Sequence, residues 1–177
     1  FVKLLSSIRL FLFKKYNFPV VFTRSSNVYG EHQQLYRIIP KTIINLKKNK
    51  KITLHGLGNS KRDFIHIYDV CSALYKIIEN GKLGETYHIS SKNKLLSIKK
   101  LVKIICKKMN KNFKHSTILV NENFGQDFVY DLNSEKLRKK LNWNDKINLE
   151  DGIDYTINWI NQNWSYIKKD STEYKHI

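Results

Sequence analysis

Thr23-Arg24-Ser25-Ser26-Asn27-Val28-Tyr29-Gly30, followed by Gln33-Gln34-Leu35-Tyr36-Arg37-Ile38-Ile39-Pro40, is the stretch on which the reading of this chain turns. Val20, Val21 and Phe22 form a short apolar β-type run behind Pro19, and small polar residues then break it. The pattern predicts the end of a buried strand, a ligand-facing loop, and a helix that opens on the cation of Arg37. In an open α/β sheet, ligands sit at loops on the carboxyl ends of strands.

Working outward, apolar residues at helical spacing predict a helix over 4–15, stopped by Tyr16-Asn17-Phe18-Pro19. A second is expected over 37–48, with Ile38, Ile39, Ile43, Ile44 and Leu46 turned inward. Short strands are expected at 52–54, 64–67, 86–89 and 117–120. Asp69 is expected to open a helix through Ile78, with Val70, Leu74, Ile77 and Ile78 on one face, and Asn80-Gly81 to end it. Ser97 reads as the N-cap of a helix through Met109, and Ser134 as the cap of a short one to Leu141. A last long helix covers 149–164. Strands alternating with helices predict α/β packing. One unit over 1–164 and a loosely held polar tail over 165–177 are expected.

The chain has 177 residues, a net charge of +17 and a pI near 9.8. Clustered Lys and Arg would suit a polyanion. Here the lysines are spread as doublets such as Lys47-Lys48, Lys99-Lys100 and Lys139-Lys140, on expected helix surfaces, and the chain is also rich in Asn and Ile. That distribution reads as solvated faces and a compositional bias, against a nucleic-acid role. Cys71 and Cys106 fall in helical, apolar contexts and are expected to be buried thiols, and no His/Cys/carboxylate cluster has metal spacing. No apolar stretch approaches the ~20 residues of a membrane span. Phe1 to Phe13 is apolar but lacks a small-residue cleavage site before Lys14-Lys15. A cytoplasmic protein is the expectation.

The motifs resemble a known family, the extended short-chain dehydrogenases/reductases, and within it the NAD-dependent nucleotide-sugar 4,6-dehydratases of the dTDP-glucose type. The resemblance rests on Ser26 to Gly30, on Arg37 to Pro40, and on Arg62-Asp63-Phe64-Ile65-His66-Ile67. Gly84-Glu85-Thr86-Tyr87-His88-Ile89 and Leu141-Asn142-Trp143 extend it over residues 3 to 164. It implies the C-terminal part of a Rossmann-type enzyme, α/β in class, with a small mixed α/β substrate-binding lobe. Such an enzyme is nearly twice as long, so the other half is an implied partner. A glycine-rich dinucleotide loop is absent: Gly56-x-Gly58 meets Lys61 where a third glycine would fall.

The resemblance also implies roles. Arg62 contacts the diphosphate of a nucleotide sugar; the alternative is a structural ion pair with Asp63 or Asp69. Asn27 contacts substrate near the nicotinamide, or simply forms a turn. Arg37 and Ile38 touch the nucleotide, and Thr53, Leu54 and His55 lie along the base. For Arg37 a solvated helix-start cation, and for His55 an ordinary surface histidine, stay open. Ser97 stands where the family has a substrate-contacting Asn, although capping explains it alone. Lys3, Ser25 and Val28 are placed beside the NAD cofactor, Val28 through its backbone; Lys3 falls one residue short of the family register, and an ordinary surface lysine stays open there.

Several positions depart from the family pattern. Asn123-Phe124-Gly125-Gln126-Asp127 replaces Arg-Pro-Gly-His-Asp, which removes a second phosphate-binding Arg, a loss on the order of 1.5–3 kcal/mol. Family chemistry oxidises the sugar at C4, eliminates water across C5 and C6, and returns the hydride to C6, beginning with a Tyr-x-x-x-Lys pair. None of the ten tyrosines has Lys four places on, and no residue here is assigned a catalytic role. A dehydratase portion inactive alone is therefore expected. A 4-epimerase or reductase portion of the same superfamily and a noncatalytic basic remnant are the rivals. Ile153, Tyr155 and Trp159 could serve a homodimer or an internal core.

Overall fold

Residues 22–29 run as two strands that change partners at one residue. The computed structural model describes residues 2–92, 95–122 and 127–173, without the side chains of residues 2–7 and 9. Strand β1 (Phe22–Ser25) pairs in parallel with Thr86–Ile89, and β2 (Asn27–Tyr29) pairs in parallel with Phe64–His66. Between them Ser26 donates its backbone N–H to Ile89 O at 3.0 Å, and Asn27 donates to Asp63 O at 3.1 Å. The expected strand thus begins two residues later than Val20, and most of the expected loop is strand. Thr, Arg, Ser and Asn carry weak strand signals of their own; the ladders to two different neighbours satisfy their backbone groups.

In chain order the remaining elements are α1 (Val2–Tyr16), α2 (Ile38–Lys47), β3 (Ile52–Leu54), β4 (Lys61–Arg62), β5 (Phe64–His66) and α3 (Ile67–Asn80). They continue with β6 (Thr86–Ile89), β7 (Leu96–Ser97), α4 (Ile98–Lys108), α5 (Phe113–Ser116), β8 (Thr117–Leu119) and β9 (Val129–Tyr130). The chain closes with α6 (Glu135–Leu141), α7 (Leu149–Gln162) and α8 (Trp164–Ile167). β3 pairs in parallel with β8, and β4 lies between an antiparallel β7 and a parallel β9. The fold is α/β, with the β1–β6 and β2–β5 pairs ending beside a smaller mixed lobe built on β4, β7 and β9.

Two apolar clusters hold it. Ile39, Ile43 and Ile44 of α2 meet Leu101, Val102 and Ile105 of α4 and Ile153 and Ile160 of α7. Ile65, Val70, Ala73, Ile77, Tyr87 and Ile89 meet Leu137 and Trp143 in the second. Each fully buried Ile or Leu stabilises the fold by about 1.5–3 kcal/mol relative to exposure. Ile153 thus belongs to the core, whereas Tyr155 is exposed and Trp159 packs at 4.9 Å against the His32 ring.

Five local expectations are corrected. α3 begins at Ile67 rather than Asp69, because the buried His66 accepts the Tyr68 N–H through Nδ1 at 3.4 Å. Its inward stripe is Val70, Ala73 and Ile77; Ile78, 100° further round the helix, is 82% exposed, and Cys71 is exposed as well. Ser134 does not cap α6 with its side chain: its Oγ donates to Ser90 O at 3.2 Å, and Asn133 Oδ1 receives the Glu135 N–H at 2.7 Å. The packed unit also runs into the expected tail, where Ile167 of α8 joins the larger core. By contrast Ser97 caps α4 as expected, its Oγ accepting the Lys100 N–H at 3.2 Å.

Candidate functional site

The carboxyl end of β2 opens into a cleft of about 770 Å³. Ser26, Asn27 and Val28 form one side, and Gly30 to Gln34 a second. Arg37 and Ile38, at the start of α2, form a third, and Arg62 and Phe64 complete the lining. Strand ends, a helix start and the β4–β5 edge converge on one concavity, as ligand sites in α/β proteins do.

Arg62 leaves the end of β4 half-buried. Its Nη1 donates to Lys61 O at 2.8 Å, and its Nη2 to Asp127 O at 2.6 Å. Among the described residues it makes no ion pair. The two carboxylates that could have claimed it are committed elsewhere: Asp63 accepts the backbone N–H and hydroxyl of Ser91, and Asp69 accepts the backbone N–H groups of Lys146 at 2.8 Å and Ile147 at 3.0 Å. Carbonyl oxygens orient a guanidinium without neutralising it, so a full positive charge faces the cleft. Arg37 adds a second; it is exposed, lies 5.3 Å from the Tyr36 ring, and has no carboxylate partner among the described residues.

The cleft lining also holds polar atoms without a partner among the described residues. Ser26 Oγ, Asn27 Nδ2 and Gln33 Oε1 are buried without a hydrogen-bond partner, although Gln33 Nε2 donates to Val28 O at 2.6 Å. Leaving one such atom unsatisfied costs about 1–3 kcal/mol. Beneath them lies the buried His66, in edge contact with the rings of Tyr29 and Tyr155 at 5.2 Å and 5.9 Å. Burial lowers the His66 pKa below the usual histidine value, against the opposing pull of Glu31 and Asp69. The Tyr29 hydroxyl, which donates to Leu149 O at 3.4 Å, is pushed well above the usual tyrosine value, first by burial and then by Asp69.

Of the residues singled out in the sequence, Asn27, Val28, Arg37, Ile38 and Arg62 meet in this cleft. Ser25 lies just behind it in β1. Leu54 is core, Thr53 and His55 are exposed, and Ser97 serves α4; none of these four lines the cleft. Lys3 lies in α1 with its side chain outside the described residues, as is all of Asn123 to Gln126. Glu31 and Gln33 line the cleft without having been singled out; no local pattern marks them, since only the fold of the loop turns them inward. Among the described residues no group of three His, Cys, Asp or Glu side chains could hold a metal ion, and no helix is long and apolar enough to cross a membrane.

A parallel strand pair that ends at a polar, arginine-flanked cleft defines the ligand-binding end of a Rossmann-type α/β protein. Comparison with known proteins carries this further. Residues 8–90 match the NAD dependent epimerase/dehydratase family, and the chain belongs to it. It is 36% identical over 164 residues to a dTDP-D-glucose 4,6-dehydratase of Homo sapiens, a match that takes in 88% of this chain and 46% of that one. A dTDP-glucose 4,6-dehydratase of Bacillus anthracis in complex with NAD superposes with a TM-score of 0.84 at 32% identity, over 90% of this chain and 50% of that one. The corresponding enzyme of Streptomyces venezuelae, with NAD and dTDP bound, gives 0.86 at 25% identity over 91% and 49%. The chain spans about half the length of the relatives it matches.

Proposed function

We propose that this chain is the C-terminal, substrate-binding portion of a cytoplasmic NAD-dependent dTDP-glucose 4,6-dehydratase. The observation that carries the reading is the guanidinium of Arg62, without an ion-pair partner among the described residues, in a cleft that Arg37 also lines. Two cations lining one cleft suit a diphosphate, which Arg can hold through paired N–H donors. Asn27 Nδ2 and Ser26 Oγ lack partners among the described residues, and a sugar hydroxyl or a carboxamide would supply them. Ile38 and Phe64 offer apolar surface beside the phosphate side.

NAD, when bound, would accept and return hydride at the sugar. The residues present fit one edge of such a cofactor only: the orphaned polar atoms at the end of β2, with Ser25 and the Val28 backbone next to them. The phosphate cradle has no counterpart in this sequence, and we assign most of the cofactor site to the other half of the enzyme. Arg62 and Arg37 hold the diphosphate, Asn27 orients the sugar, and the cleft wall excludes water from the nucleotide.

Titration calorimetry with dTDP tests this. Wild type is expected to bind, and Arg62→Ala to bind about tenfold to a hundredfold more weakly, the value of one charge-assisted contact. Arg62→Lys keeps the charge without the fork and falls between. Equal dTDP affinity in wild type and Arg62→Ala, at matched thermal stability, overturns the assignment.

A further inference from the structure

Gly30 leaves β2 at φ +144°, and a Cβ there would lie 2.7 Å from Ile67 Cγ2 and 3.1 Å from His66 Nε2. Glycine lets the chain press onto the junction of β5 and α3 at this point. The next residue, Glu31, then brings Oε2 to 3.3 Å from His66 Nε2. The other ring nitrogen, Nδ1, already accepts the Tyr68 N–H. A neutral imidazole with an accepting Nδ1 carries its proton on Nε2, so that proton faces the Glu31 carboxylate. The pair is a close contact rather than a hydrogen bond of full geometry, and among the described residues both buried atoms lack a hydrogen-bond partner, so each is the other's nearest polar neighbour for its proton or lone pair.

The same loop is tied at two further points, by Gln33 to Val28 O and by the His32 ring against Trp159 of α7. Those ties hold its far end. The near end is held by the packing of Gly30 and, among the described polar contacts, by Glu31; Glu31, His32 and Gln33 are themselves part of the cleft lining. A carboxylate drawn to the N–H of a fully buried ring sets the direction of that wall.

We propose that Glu31 is a positioning residue: its carboxylate, drawn to the Nε2–H of His66, holds Gly30 to Gln33 in the shape that receives a nucleoside diphosphate. The identity of that ligand rests on the function proposed above, whereas the latch itself does not. Glu31 acts through the loop and is given no part in bond making.

The test compares wild type, Glu31→Gln and Glu31→Ala in the full chain by three measurements: the His66 tautomer by nitrogen NMR, amide hydrogen exchange across residues 30–34, and dTDP binding by calorimetry. Wild type is expected to show the Nε2–H tautomer. Glu31→Ala should speed exchange at residues 31–33 and weaken dTDP binding, each about tenfold, while exchange in α4 stays unchanged. Glu31→Gln, whose side-chain oxygen still accepts from Nε2–H, should restore both most of the way. A proton on Nδ1, unchanged loop exchange in Glu31→Ala, or failure of Glu31→Gln to rescue overturns the latch. Faster exchange with unaltered dTDP affinity overturns the positioning role. If wild type itself ignores dTDP, the diphosphate reading falls, and tautomer and exchange still judge the latch.

Discussion

Among the described residues Arg62 bonds only neutral oxygens, and that is what keeps its charge available. A guanidinium locked onto Asp63 or Asp69 would leave the cleft without a phosphate ligand; here Ser91 and the Lys146–Ile147 backbone occupy those carboxylates instead. His66 is the other decisive side chain, and its chemistry predicts a pH effect. Its folded pKa lies below the ordinary value near 6.5, so the unfolded chain binds the proton more readily. Stability is therefore expected to be undiminished above about pH 6.5 and to decline as pH falls from there toward the folded pKa. Protonation would also place a second N–H against the Tyr68 N–H and remove the α3 cap. The groups facing the ring are Glu31 from the loop, Tyr29 from β2, Tyr68 and Asp69 from α3, and Tyr155 from α7. Urea unfolding at pH 8 and pH 5.5 measures the slope. His66→Asn, which keeps a capping oxygen but does not titrate, should have a shallower slope than wild type; an identical slope would refute the assignment to His66.

At the scale of elements, α4 separates structural from ligand roles. Ser97 stands where the resemblance put a substrate contact, yet its hydroxyl caps α4 and lies outside the cleft. Ser97→Ala is expected to cost about 1 kcal/mol of stability and leave dTDP affinity unchanged; a loss of affinity at constant stability would restore the ligand role. Leu101→Ala, on the buried stripe of the same helix, should cost about 2–5 kcal/mol by urea unfolding. Helices such as this one were legible because cap and stripe are encoded within a dozen neighbouring residues. β2 was not, because Asn27 to Tyr29 become a strand only by pairing with Phe64 to His66, more than thirty positions away. The cleft shows the same division. Arg62, Arg37 and Asn27 belong to motifs and could be read in order, while Glu31 and Gln33 acquire meaning only when Gly30 folds the loop inward. Thr53 and His55 were placed on the base by resemblance, and both are exposed residues outside the lining of the cleft.

Taken as a whole molecule, the chain is a binding half on the function proposed above. Its relatives are about twice as long, and the sequence holds neither a third glycine in the required spacing nor any tyrosine followed four places later by lysine. The net charge of +17 does not supply a substitute function, since its lysines lie apart on several helices while the cleft itself uses two arginines. The 177-residue chain alone is accordingly expected to bind dTDP without turning over dTDP-glucose, with or without added NAD. Product formation followed by absorbance of the 4-keto sugar in alkali, alongside calorimetry on the same sample, separates the two properties. Binding without turnover is the outcome that a substrate wall lacking its proton-transfer tyrosine must give, because holding a diphosphate stabilises substrate and transition state alike and leaves the chemical barrier where it was. Turnover above the no-protein control would mean that a base from this chain replaces that tyrosine, and would refute the division of labour proposed between the two halves.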